Sequence, residues 1–262
     1  MRKILVAMRT ILILSSIIAG SLACGGSNDV TDPTLTTTQP IINGNIVSVD
    51  NIGTPAIYNG IGNACTSTLL NSMWILTAHH CMTNEDVIIG GTPVSADKVI
   101  IRTEDGSQYV GARNIYLHPT LDVALVVLDK PITGFTDNSL YLGSFSDLVG
   151  QKIWCQGYGY DAFNASFGTL RSALEVVSQE SDGYYSLVPN SLGQIDWLGD
   201  SGGSCFILDS NNNPTHILTG VQSSVQSHPY NDGGGDVVGA TQIESTSIGK
   251  WIYSTMNPPS NC

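Results

Sequence analysis

From Ile41 onward the chain reads as short apolar runs separated by clusters of Gly, Asn, Asp and Pro. The runs AIYNG (56–60), STLL (67–70), WILTA (74–78), DVIIGG (86–91), VIIRT (99–103) and VALVVLD (123–129) are rich in β-branched residues and are predicted strands. So are KIWCQGYG (152–159), LEVVSQ (174–179), SCFIL (204–208) and HILTGVQSSV (216–225). Their spacing is that of a sandwich or a barrel. Only STSIGKWIYSTM (245–256) has a helical period, with Ile248, Trp251, Ile252 and Met256 on one face. The pattern predicts an all-β protein with a C-terminal α-helix. No internal repeat is evident, although two barrels of similar size would fit the length.

The first residues break this pattern. MRKILVAMR is basic, and the apolar run ILILSSIIAGSLA (11–23) is too short for a comfortable membrane span. Residues 1–23 are therefore read as an export signal, cut before Cys24. The cysteine and the GGSND after it resemble a bacterial lipoprotein signal, which makes Cys24 a candidate for lipidation and for a membrane tether. One feature departs from that pattern: Ser21 stands where leucine is usual. Residues 24–40, small, polar and rich in Thr and Pro, are read as a tether or pro-segment. A folded domain is expected over 41–262.

Composition narrows the class. Apolar residues make up 42 % and charged residues 12 %, which excludes a disordered chain. The 28 glycines suit a turn-rich β protein. The formal net charge is -12, and three of the ten basic residues (Arg2, Lys3 and Arg9) belong to the export signal. Such a surface repels nucleic acid and anionic membrane. Export favours disulfides among the six cysteines, none of which forms a C-x-x-C pair.

Three stretches carry candidate chemistry: TAHHC (77–81), LDVALVVLD (121–129) and GDSGGSC (199–205). A serine between glycines on a tight turn exposes its hydroxyl and nearby N–H groups. Its hydroxyl needs a base, histidine is the natural one near neutral pH, and a carboxylate fixes that imidazole. The chain supplies them in the order His, Asp, Ser. A metal site at the paired histidines lacks an obvious third and fourth ligand. A phosphate loop at GDSGG lacks the Lys-Ser/Thr it needs. No cofactor is expected. NDGGGD (231–236) and DSNNN (209–213) read as turns rather than calcium loops.

Together these motifs resemble the trypsin/chymotrypsin family of serine endopeptidases, from Ile41 to the C-terminal helix. The resemblance implies two antiparallel six-stranded β-barrels packed together, about 41–145 and about 146–262. WILTAHHC is similar to the family's Trp-x-x-(Thr/Ser)-Ala-Ala-His-Cys, which makes His80 the base and leaves His79, where alanine is usual, without an assigned role. DVAL gives Asp122, and GDSGG gives Ser201 as nucleophile. The chain order separates this arrangement from the α/β-hydrolases and subtilisins. The resemblance further implies an oxyanion hole from the N–H groups of Gly199 and Ser201. It implies cleavage before Ile41, in IING, to free an ammonium that pairs with Asp200. Pro40 departs from the Arg or Lys at which trypsin-like activators cut, so a different processing protease, or a different cut, is expected.

The resemblance also implies a bridge Cys65–Cys81. Cys155 and Cys205 are each displaced by two residues in opposite senses, which keeps them opposite across an antiparallel pair and predicts a bridge between them. Cys24 and Cys262 remain. The specificity pocket is expected from Ile195 at its floor, with Asp196, Ser223 and Val225, and Asp236 is a further candidate pocket charge. Valine where glycine is usual narrows the mouth. Small or medium apolar side chains are expected to be preferred over Arg or Lys. The expected partners are protein or peptide substrates and an activating protease, the protein being a monomer. The alternative class is a catalytically silent binding or adhesion lipoprotein on the same fold.

Overall fold

The computed structural model describes residues 41, 44–47, 52–85, 87–159, 168–181, 183–225, 235–239 and 248–258. The export signal, the tether, Cys24 and Cys262 lie outside the described residues. In chain order the strands are β1 (Asn45–Ile46), β2 (Ala56–Tyr58), β3 (Ala64–Thr66), β4 (Thr68–Asn71) and β5 (Trp74–Thr77). A 3-10 turn at His80–Met82 separates these from β6 (Ile100–Arg102), β7 (Tyr109–Leu117), β8 (Ala124–Leu128) and β9 (Ser139–Leu140). Next come β10 (Lys152–Gly157), β11 (Arg171–Ser181), β12 (Tyr184–Val188) and β13 (Ser204–Leu208). The last are β14 (Pro214–Val225), β15 (Gly235–Gly239) and helix α1 (Ile248–Met256).

The strands form two sheets. The first runs β3-β2-β6-β7-β8-β5-β4. Only Ser67 separates β3 from β4, so the sheet returns to its starting strand and closes as a barrel of six. The second runs β11-β10-β13-β14-β15-β12 and closes through a β11–β12 pairing, again as six strands. Two short strands that precede β10 in the chain also join this second barrel: β1 pairs with β11, and β9 pairs in parallel with β14.

The apolar runs explain the joint between the barrels. Side chains alternate across a strand. In β5 and β8, Ile75, Ala124, Val126 and Leu128 fill the first barrel, alongside Ile57 and Ile101. Their neighbours Leu76 and Leu125 face the other way, into a cluster with Phe206, Leu218 and Val221 of the second barrel and Ile248 and Ile252 of α1. Both faces are buried, so VALVVL reads as a continuous apolar run rather than an alternating one. The second barrel has its own core of Phe145, Ile153, Val177, Tyr185 and Leu187. Asn138 pins the crossing segment between the barrels. Its buried amide donates to the carbonyls of Ile52 and Leu69, each at 2.6 Å.

DVIIGG is not a strand. Residues 83–85 and 87–93 lie in a loop pinned at its base by bonds from Asn84 N–H to Thr92 O and from Val94 N–H to Met82 O; Asp86 is outside the described residues. Glu85 ties it again by accepting from Thr92 N–H and Oγ1. Val87, Ile88 and Ile89 at its tip are exposed. The nine-residue β7, by contrast, was not foreseen, because Gly111, Arg113 and Asn114 interrupt its apolar pattern.

Candidate active site

The joint between the barrels gathers the residues singled out by sequence. β5 ends at Thr77, and the chain turns through Ala78 and His79 into the 3-10 turn that carries His80. His80 Nδ1 lies 2.8 Å from Asp122 Oδ2, and His80 N–H donates to Asp122 Oδ1 at 2.9 Å. Asp122, two residues before β8, is fully buried, whereas the His80 side chain keeps 18 % of its exposure. The Ser223 hydroxyl donates to Asp122 Oδ2 at 2.5 Å. Ser223 was expected as a pocket residue, and its partnership with Asp122 was not read from sequence. The two residues lie 101 positions apart, and no local signal joins them.

Ser201 approaches from the second barrel. Its carbonyl accepts from Thr66 N–H at 2.9 Å, which ties the serine loop to β3. Its Oγ donates a long bond of 3.4 Å to Ser223 O rather than to His80 Nε2. Gly202 sits where the barrels nearly touch: a Cβ there would lie 2.2 Å from Thr77 Oγ1 and 2.3 Å from Thr66 O. Gly199 has φ 91°, and Asp200 N–H closes a turn onto Trp197 O at 3.0 Å. Positive φ at the third residue of a four-residue turn marks type II, a conformation that favours glycine. The N–H groups of Asp200, Gly202 and Gly203 all donate within the protein. Those of Gly199 and Ser201 find no acceptor among the described residues.

Asp200 is fully buried. Its carboxylate accepts from Trp197 N–H at 2.7 Å, Gly159 N–H at 2.8 Å and Ile41 N–H at 3.1 Å. Burial, aided by the nearby Asp196, pushes its pKa up to about 7 against the pull of those three donors. In the full chain the Ile41 donor is a backbone amide and brings no charge. Ile41 is itself buried, with φ 40°, and its carbonyl accepts from Gly44 N–H.

Two disulfides are present. Cys65–Cys81 closes a separation of 16 residues beside His80. Cys155–Cys205 joins directly opposed positions of β10 and β13 and closes a separation of 50. Cys65, His80 and Cys81 are also a group of metal-ligating residue types, but both sulfurs are held in cystine and are not thiolate donors.

The pocket differs from expectation. Ile195 does not line it: the side chain packs into the second barrel's core, and Asp196 takes the place beside the cleft. Trp197, Gln222, Ser223 and Ser224 complete the wall next to Ser201. They leave a cavity of about 10 Å³, room for one water. The Gln222 amide is buried, and neither of its atoms has a hydrogen-bond partner among the described residues. Behind Asp196 lies Glu175, fully buried, whose carboxyl is pushed well above the usual range by burial first and then by Asp196 and Asp200. Val225 and Asp236 lie on the paired strands β14 and β15, and their side chains are outside the described residues.

His79, left without a role by its sequence, is 3 % exposed and bonded through both ring nitrogens. Nδ1 lies 3.1 Å from His118 O, and Nε2 lies 2.8 Å from Gly90 O. Of the other histidines, His118 packs edge-on against Trp251 and His216 meets Asn138 Oδ1 at 3.1 Å.

Two closed antiparallel barrels, with a His–Asp pair on one and a glycine-flanked serine on the other, define a chymotrypsin-like protein. A family model described as Trypsin matches residues 43–252. The chain belongs to the trypsin family. It is 31 % identical over 155 residues to an uncharacterized peptidase of Corynebacterium glutamicum, covering 56 % of this chain and 51 % of that one. It is 31 % identical over 109 residues to an alpha-fibrinogenase-like protein of Daboia siamensis, covering 39 % of this chain and 42 % of that one. It is 29 % identical over 126 residues to the snake venom serine protease catroxase-1 of Crotalus atrox, covering 46 % and 48 %. The chain thus spans about half the length of the curated relatives it matches.

Proposed function

We propose that this chain is an exported serine endopeptidase that cleaves peptide bonds through an acyl-enzyme. Ser201 Oγ attacks the scissile carbonyl and passes its proton to His80 Nε2. Asp122 holds the Nδ1–H of that ring and stabilises its charged form. The N–H groups of Gly199 and Ser201 receive the developing oxyanion. His80 then gives its proton to the leaving amine, and water, activated by the same ring, releases the acyl group. The observation that carries this reading is the 2.8 Å His80–Asp122 contact facing the Ser201 loop across the joint.

Export is supported by the two disulfides. Cleavage before Ile41 is the proposed activation, because an ammonium there neutralises Asp200, whose donors among the described residues, Trp197, Gly159 and Ile41 N–H, are neutral. The small cavity supports preference for small side chains. Faster cleavage of an arginyl than of an alanyl peptide by the purified enzyme overturns that preference.

The deciding experiment labels the purified protein with a fluorophosphonate probe and sequences the N-terminus of the same sample. Labelling that is lost in Ser201→Ala, with Ile41 first, supports an activated protease. No labelling with a longer N-terminus supports a zymogen. No labelling with Ile41 free refutes the catalytic reading and favours a binding protein on the same fold.

A further inference from the structure

His79 immediately precedes His80, yet its ring points away from the Ser201 cleft and into a second network. Both of its nitrogens face carbonyl oxygens, those of His118 and Gly90. A neutral imidazole has one N–H donor and one acceptor, and an acceptor gains nothing against a carbonyl. Only a ring that carries both protons makes both bonds.

The partner ring has the opposite requirement. His118 Nδ1 accepts from Thr120 N–H at 3.3 Å and Leu121 N–H at 3.1 Å. It must therefore keep that nitrogen unprotonated, and burial first, then the neighbouring His79 ring, lowers its pKa. These bonds shape the turn from His118 to Val123, which His118 N–H closes onto Val123 O at 2.9 Å. Asp122 stands on that turn. On its other side His79 holds the loop of residues 83 to 93 through Gly90, and that loop flanks His80 in sequence.

We propose that His79 is a positioning residue: a doubly protonated imidazole that clamps the Gly90 loop to the turn carrying Asp122 and so sets the acid against His80. The clamp rests on the catalytic reading above. It acts through Asp122 and touches neither substrate nor the reacting atoms. The charged or titratable groups around it are His118 on the turn, His80 and Asp122 beside it, and Glu85 at the base of the loop.

Two measurements test it. In ¹⁵N-histidine-labelled wild-type protein, two-bond proton–nitrogen spectra are expected to show both His79 nitrogens protonated at the pH of assay. One unprotonated nitrogen overturns the clamp, and this spectrum needs no variant to fold. In His79→Ala of unchanged thermal midpoint, kcat is expected to fall roughly ten- to hundred-fold with KM nearly constant, the cost of a slightly misplaced catalytic group. Unchanged kcat, or a loss confined to KM, overturns it. A wild-type protein with Ile41 free that fails to react with the fluorophosphonate refutes the catalytic reading, while the spectrum still reports on the ring.

Discussion

Asp122 carries three donors at once: the His80 ring, the His80 backbone N–H and the Ser223 hydroxyl. A hydrogen bond to a buried charge contributes about 1.5–3 kcal/mol, so losing one affects both the burial of the carboxylate and its orientation. Ser223→Ala is expected to lower kcat roughly ten- to hundred-fold, well short of the loss of several orders of magnitude expected for Ser201→Ala or His80→Ala. Steady-state kinetics on the three variants ranks them, and a Ser223→Ala enzyme as slow as His80→Ala contradicts this ordering. His80, Asp122 and Ser201 could be singled out because each lies in a contiguous motif, and the fold brings the first two into contact at the joint that the Ser201 loop faces. Ser223 and His79 were not legible in the same way. Their meaning lies in partners 101 and 39 residues distant, which only the folded chain brings near.

At the scale of elements, sequence read well where burial is one- or two-sided and continuous, as in β5, β8, β13 and β14. It failed at DVIIGG, whose β-branched run is strand-like by composition. The loop ends are bonded to each other, and the apolar tip pairs with no strand among the described residues. It also failed at β12 and β15, short segments recognisable only once β11 and β14 offer them edges. The disulfide pairings were expected from the family resemblance, in which the opposite two-residue shifts of Cys155 and Cys205 cancel. Cys155 and Cys205 sit directly opposite, so their bridge fastens β10 to β13, the strand that follows the serine loop. By loop entropy this bridge is worth about 4 kcal/mol and the Cys65–Cys81 bridge about 3 kcal/mol. Denaturant titration of Cys155→Ala/Cys205→Ala against Cys65→Ala/Cys81→Ala is expected to show the larger loss in the first pair. The reverse order would place the greater constraint beside His80.

For the whole molecule the decisive quantity is uncompensated buried acid. Asp200 is pushed up to about 7, and Glu175 is raised as well. The folded chain therefore holds protons that the unfolded chain releases. Stability from these groups is greatest below the ordinary carboxylate range and falls as pH rises from there to about 7, where Asp200 ionises in the fold as well. Thermal melts of the unprocessed Ser201→Ala chain are expected to show a lower midpoint at pH 8 than at pH 5. The chain cut before Ile41 should lose less over that interval, because its new ammonium faces Asp200. Equal losses in the two forms would mean that the terminus does not reach the carboxylate. Ile41 adds a mechanical side to this electrostatic one. Its φ of 40° is a torsion measured from the carbonyl of residue 40, and a β-branched residue held there stores about 1–3 kcal/mol. A cut before Ile41 does not relax that torsion but abolishes it, since the atom that defines it departs with the leader. If the chain is cut there, the Ile41 nitrogen, already 3.1 Å from Asp200 Oδ2, keeps its place and gains a charge, with no such torsion left to strain.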